Sequence, residues 1–258
     1  MASKINRHGA RETASAGAID IIESDGCLTA VLNRPQAGNR ISAAMAERLI
    51  ELAEKVEDDD SIRVLALTGA GNTFCIGFDP DVDQRLVESI AVITKPTLTI
   101  INGDALDEGL ELALALDIRL ASAHAHFALT QLRRGVMPHF GGTQRLARLI
   151  GSPQTLKMIL TGTAIDGREA LRRGLITYIA DGRARLNHCA ADIVASIISR
   201  APLAIKLVKE AVFKGFDMTL EQGIRLEEDL YALLQTTSDR SEGVRAFLEK
   251  RRPLFKGA

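Results

Sequence analysis

Apolar and polar residues mark out the elements in order along the chain. Ala18–Glu23 and Leu28–Leu32, separated by Asp25-Gly26, read as a β-hairpin. Ser42 then opens a segment in which Met45, Leu49, Leu52 and Val56 recur on one face, which predicts a capped amphipathic helix to about Glu57. The acidic run Glu57-Asp58-Asp59-Asp60 reads as its solvated end. Val64–Thr68 is apolar enough for a buried strand, and Thr97–Ile101, Ile118–Ala121 and His126–Ala128 continue the sheet system. Helices are predicted at Thr143–Ile150, Pro153–Leu160 and Gly167–Arg173, with Gly151 and Gly174 as C-terminal stops. Ile176–Ile179 is a last short strand, and from Arg185 onward the pattern is helical only. Alternation of strand and helix places the chain in the α/β class. No Gly/Ser linker or low-complexity tract interrupts it.

Composition narrows the function classes. A chain of 258 residues with 46% hydrophobic and 25% charged residues is that of an ordinary globular protein with a sizeable core. A net charge of −1 gives no electrostatic case for a nucleic-acid or anionic-membrane partner. No apolar run approaches the ~20 residues that span a bilayer. The three cysteines, Cys27, Cys75 and Cys189, are widely spaced and odd in number, which points to a reducing, cytoplasmic setting without a disulfide framework. Residues 1–17 lack an apolar core for a signal peptide. Arg7 and Arg11 are offset by Glu12 as a transit signal, so this segment reads as a disordered tail.

Chemistry concentrates between Asn102 and Leu146. The strand Thr97–Ile101 feeds a turn, and the turn feeds a short helix starting near Asp107. A helix start carries free N–H groups and partial positive charge, which suits an oxygen that becomes an anion during reaction. Glu111 sits about one turn in, well placed for a proton-transferring carboxylate. Upstream, Gly69-Ala70-Gly71 follows a strand as a dinucleotide fingerprint does, but Phe74 stands where that fingerprint needs its third glycine. His124 and His126 alternate on one predicted strand and so face one way. With no third ligand in the motif region, they read as surface residues rather than a metal site.

The motifs together carry a resemblance. Asn33-Arg34-Pro35 comes first, then Leu67-Thr68-Gly69-Ala70-Gly71-Asn72-Thr73-Phe74-Cys75-Ile76-Gly77-Phe78-Asp79, and then Lys95-Pro96. The segment Asn102–Asp117 and the run Gly141-Gly142-Thr143-Gln144-Arg145-Leu146 follow. Leu160-Thr161-Gly162, Glu169-Ala170 to Gly174-Leu175, Glu242-Gly243 and Phe247-Leu248-Glu249-Lys250-Arg251 complete the series. In this order and spacing the chain resembles the enoyl-CoA hydratase/isomerase (crotonase) family. The resemblance implies an α/β fold: a crotonase-like spiral of strand-strand-helix turns over 18–195 and a helical C-terminal region over 196–258 that packs into trimers or hexamers. It implies coenzyme A as part of the substrate and no other cofactor. Arg34, Cys75, Ile76, Gly77 and Asp79 would line the coenzyme A groove. The backbone N–H groups of Ile76 and Glu108 would form the oxyanion hole, and Glu111 would be the principal acid/base.

Four departures from the family pattern bear on the chemistry. Asp107-Glu108-Gly109 stands where the family commonly has three glycines; the Glu108 side chain is expected to point outward, away from a forming enolate. The second glutamate of the hydratases is Gln131 here, which can position water but exchanges no proton at neutral pH. The family's Pro-Gly is Pro138-His139, so His139 is either a substitute acid/base or an exposed loop histidine. The stretch between Asp79 and Lys95-Pro96 is short, which implies an open or differently shaped acyl pocket. The leading expectation is an enzyme that adds water to an α,β-unsaturated acyl-CoA. Double-bond isomerisation by one carboxylate is a second reading, and a catalytically lapsed acyl-CoA-binding protein a third. Turnover of crotonyl-CoA against mere retention of CoA separates them.

Overall fold

The computed structural model describes residues 11–12 and 19–258. Of the expected tail 1–17, only Arg11–Glu12 lies within the described residues. It forms strand β1, antiparallel to β2 (Ile19–Ser24). β2 turns into β3 (Cys27–Leu32) at Asp25 and Gly26, with φ of 50° and 80°, the positive values a two-residue hairpin turn requires. Ser42 accepts a hydrogen bond from the Met45 N–H and starts helix α1 (Ala43–Asp58). The predicted stripe Met45, Leu49, Leu52 and Val56 is buried.

After α1, strands come in pairs. β4 (Val64–Gly69) is followed by β5 (Thr73–Cys75) and helix α2 (Arg85–Ala91). β6 (Thr97–Ile101) is followed by β7 (Asp104–Leu106) and helix α3 (Glu108–Ala115). β8 (Ile118–Ser122) is followed by β9 (His126–Ala128). Helices α4 (Gly142–Ile150) and α5 (Ser152–Thr161), strand β10 (Ile165–Asp166), helix α6 (Gly167–Arg172) and strand β11 (Tyr178–Ala180) come next. The first member of each pair joins a seven-stranded sheet of order β1-β2-β3-β4-β6-β8-β11, parallel from β3 onward. The second member joins a four-stranded sheet of order β10-β9-β7-β5. Each turn of chain therefore advances both sheets by one strand, which is the spiral. Every residue of β4 and of β6 is buried, as parallel strands covered on both faces are.

Four strands, β1, β5, β7 and β10, and helix α2 had no counterpart in the sequence pattern, β1 falling in the expected disordered tail. The strands are two or three residues long, too short to show a period. The last strand lies two residues later than expected at its start, because Leu175 and Ile176 are tied to the end of α6 through the Ala170 carbonyl. Contacts divide the chain into two units, one reaching Ile93 and resuming over Thr97–Ala191, the other comprising Thr94–Pro96 and Asp192–Ala258. The second contains α8 (Pro202–Phe216), α9 (Leu220–Gln235) and α10 (Ser238–Leu248), preceded by the end of α7 (Arg183–Ile198). α8 and α9 cross with Gly215 against Gly223; a Cβ on Gly223 would meet the Gly215 Cα at 3.6 Å. No described helix is long and apolar enough to cross a membrane.

The loop between β4 and β5 is held from three directions. The Asn39 amide, fully buried at φ 56°, donates to the carbonyls of Ala70 (2.9 Å) and Thr73 (2.6 Å) and accepts from the Arg34 N–H. Asn102 accepts from the Gly69 N–H at 3.0 Å and donates to Gly71 and Thr73. Arg183 donates to the Gly69 carbonyl at 3.0 Å and to that of Gly71. Asn39→Ala leaves the Ala70 carbonyl and the Arg34 N–H without this partner and takes one of two donors from the Thr73 carbonyl, and its Cβ cannot relax the positive φ. Urea unfolding should show a loss of about 2–4 kcal/mol. A loss under ~1 kcal/mol would mean water satisfies these groups in the native state.

Candidate active site

The site is built on the first turn of α3. The Asp107 N–H donates to the Ala128 carbonyl at 2.9 Å, which fixes the helix start against β9. Asp107 adopts φ 49°, ψ −124°, a conformation natural to glycine and strained for other residues. Its carboxylate compensates by accepting from the Thr130 N–H (2.5 Å), the Thr130 hydroxyl (2.9 Å) and Arg134 Nη1 (3.2 Å). Glu108 is the first residue of the helix, so its N–H has no intrahelical acceptor. Gly109 is required by space: a Cβ there would meet the Cys75 carbonyl oxygen at 2.2 Å.

Glu111 is fully buried, and both its oxygens are occupied. Oε1 accepts from the N–H groups of Phe140 and Gly142, each at 2.8 Å. Oε2 accepts from Gln131 Nε2 at 3.1 Å. Desolvation dominates and pushes the carboxyl up to about 7; the two backbone donors oppose this, and the nearby charges of Glu108 and Asp107 add to it. Gln131 lies in a 3₁₀ turn, Gln131–Arg134, and is 1% exposed. Its Oε1 has no hydrogen-bond partner among the described residues. Beside Glu111 the structure thus places a buried acceptor that calls for a donor.

Across from the helix start lies the loop after β5, where the expected assignment of Ile76 must be corrected. The Ile76 N–H donates to the Gly38 carbonyl at 3.1 Å and is not free for a ligand oxygen. The N–H directed toward the start of α3 is that of Phe78, 3.4 Å from Glu108 Oε2. Gly77 stands between them with φ 138°, and a Cβ on it would meet Glu108 Oε2 at 2.8 Å. The Glu108 side chain is accordingly not outward. It is 9% exposed, lies against the Gly77–Phe78 peptide, and pairs through Oε1 with Arg134 Nη2 at 3.3 Å. Arg134 bridges Asp107 and Glu108 and supplies the cation that makes this burial possible.

The remaining predicted residues fall in different places. Arg34 pairs with Asp79 at 2.8 Å and also donates to the Arg40 carbonyl; its guanidinium holds the Asp79 carboxyl below the usual carboxylate range. Cys75 is buried, its thiol pushed up to about 12 by burial, and it donates to the Gly77 carbonyl. His139 is exposed and stacks on Phe140, with ring centroids 4.2 Å apart; it does not join the Glu111 oxygens, which Phe140, Gly142 and Gln131 already engage. Phe140 in turn packs edge-on to Phe78 at 5.2 Å, which links the two backbone donors' residues. His124 and His126 do not share a strand as expected: His124 lies in the turn before β9, whereas His126 pairs with Asp104 at 2.9 Å. No cluster of three or more potential metal ligands exists among the described residues. Sequence reasoning missed Phe78, Phe140, Gly142 and Arg134. The first three act through backbone N–H groups, which residue identity does not advertise, and Arg134 carries no motif.

Comparison with known proteins matches the chain to one family. The profile of the family described as Enoyl-CoA hydratase/isomerase covers residues 23–258. The chain is 39% identical over 242 residues to (E)-benzylidenesuccinyl-CoA hydratase of Thauera aromatica, covering 88% of this chain and 94% of that one. It is 34% identical to 2,3-dehydroadipyl-CoA hydratase of Escherichia coli over 89% of this chain and 95% of that one. The crystal structure of enoyl-CoA hydratase from Bacillus anthracis superposes with a TM-score of 0.89 at 33% identity, covering 93% of this chain and 99% of that one.

Gly142→Ala tests the seat of Glu111. A Cβ on Gly142 would meet Glu111 Oε1 at 2.8 Å and Cγ at 2.9 Å, which forces the carboxylate off its two N–H donors. Loss of those bonds should raise the Glu111 pKa above about 7, read by NMR titration of ¹³C-labelled glutamate. An unchanged titration would show that the carboxylate is not held by these amides.

Proposed function

Because the chain belongs to the enoyl-CoA hydratase/isomerase family, a family of enzymes, we propose that it catalyses addition of water to an α,β-unsaturated acyl-CoA, with coenzyme A entering only as part of the substrate. The observation that carries this reading is the pair of acceptors at Glu111 Oε2 and Gln131 Oε1. One water satisfies both: it donates one proton to the orphaned amide oxygen and the other to the carboxylate, leaving a lone pair for the substrate. Isomerisation would need Glu111 alone and gives Gln131 Oε1 no partner.

The thioester oxygen takes the N–H groups of Phe78 and Glu108. Water oxygen bonds to Cβ while Glu111 accepts a water proton. The electron pair of the C=C bond moves through Cα to the thioester oxygen, where the two N–H groups and the start of α3 stabilise the enolate. Glu111 then returns its proton to Cα. Gln131 cannot exchange a proton, so the one carboxylate serves both steps. Its burial suits this, because a carboxyl near 7 both accepts and releases protons at neutral pH. Arg34 and Asp79, tied to the loop after β5, are placed to border the coenzyme A moiety.

Two measurements check this reading. Glu111 must be ionised in the free enzyme, so kcat/KM for crotonyl-CoA should fall as pH drops through about 7. Glu111→Gln should cut turnover about 10²-fold or more and leave CoA binding intact. An acid limb near the ordinary 4.5, or unchanged turnover in the variant, would sink the assignment.

The helical region carries the assembly proposal. α9 has no buried residue, and Leu220, Phe213 and Phe247 are 81%, 55% and 83% exposed. Apolar side chains of this size left uncovered on the C-terminal helices favour association, and we assign them to a homotrimer or hexamer. Sedimentation at micromolar concentration should show it; a monomer would refute it.

A further inference from the structure

Without substrate, one of the two donors assigned to the thioester oxygen already has an acceptor. The Phe78 N–H lies 3.4 Å from Glu108 Oε2. That oxygen would stand 2.8 Å from a Cβ on Gly77, so the carboxylate rests against the Gly77–Phe78 peptide where an incoming oxygen has to sit. Its other oxygen is 3.3 Å from Arg134 Nη2. Arg134 keeps a second hold on Asp107 at 3.2 Å, and its side chain is 49% exposed, so it can follow an outward turn of Glu108 without leaving its place.

We propose that Glu108 is a tethered competitor for the oxyanion site: its carboxylate fills the place of the thioester oxygen, and acyl-CoA binds by turning it out toward Arg134. The inference rests on the reading of Phe78 and Glu108 N–H as the oxyanion donors. A carboxylate carries the charge that the thioester oxygen acquires only in the enolate. A neutral carbonyl is therefore the weaker acceptor and competes for the Phe78 N–H at a disadvantage. Glu108 thus acts as a specificity residue that weakens binding of every ligand with an acyl carbonyl at this point. It leaves free CoA, which has none there, unaffected.

Calorimetric titration with butyryl-CoA, which is saturated and cannot be hydrated, and with free CoA reads this directly. Glu108→Ala should bind butyryl-CoA about tenfold or more tightly than the wild type, the scale of one hydrogen bond to a charged group. Its affinity for free CoA should be unchanged. Glu108→Gln, which keeps the shape and loses the charge, should fall between, and it carries the test if the alanine variant does not fold. Equal or weaker butyryl-CoA binding by the folded variants, or an equal gain for free CoA, would overturn the proposal and leave the acyl-CoA reading standing. If neither the wild type nor the variants bind either ligand, the acyl-CoA reading falls and the competitor with it.

Discussion

Everything in the site follows from seating one carboxylate out of reach of bulk solvent. Glu111 is buried, and its charge is held by two backbone amides from the start of α4 and one side-chain amide from the 3₁₀ turn. That requirement brings three segments together: α3 supplies the acid, the turn after β9 supplies Gln131, and the entry to α4 must present N–H groups without a side chain in the way. Gly142 is the answer to the last demand. Burial raises the carboxyl and the amides lower it, and the balance leaves it near neutrality.

The second constraint is the approach of α3 to the strand that ends in Cys75. Gly109 lets the helix backbone close on the Cys75 carbonyl, and at the start of that helix the Glu108 carboxylate reaches the Phe78 N–H at 3.4 Å. Gly77 is small for the same reason, since a Cβ there would meet Glu108 Oε2 at 2.8 Å. Asp107 does not share that economy. It holds a glycine-like backbone conformation and is kept there by Thr130 and Arg134, a local strain that the surrounding bonds over-determine.

Much of this was legible in the residues. The hairpin at Asp25-Gly26, the stripe of α1, the buried strands β4 and β6 and the position of Glu111 all have periods or turn chemistry long enough to read. What was not legible depends on partners far along the chain. Ile76 and Phe78 are two residues apart in one motif, and only the Gly38 carbonyl, which takes the Ile76 N–H, tells them apart. The outward orientation expected of Glu108 followed from the cost of burying a charge, and it failed because Arg134, 26 positions on, supplies a counter-ion. His139 stood in a promising place, but its ring packs on Phe140 at the surface.

The clamp on the loop between β4 and β5 also bears on how the chain ages. Asn102 precedes Gly103, the dipeptide in which a backbone nitrogen most readily attacks the preceding side-chain carbonyl and releases ammonia. Here that carbonyl accepts from the Gly69 N–H, and the amide nitrogen is bound to the carbonyls of Gly71 and Thr73. Gly103 is packed so closely that even a Cβ would overlap the Asn72 carbonyl oxygen at 1.8 Å, so the backbone has no room to swing into the attacking geometry. The folded state thus shelters its most labile amide. Once unfolded, the chain loses that shelter: an aspartate formed at 102 would bring a negative charge against two carbonyl oxygens, so a chemically aged molecule would refold with one of the loop's three holds turned repulsive.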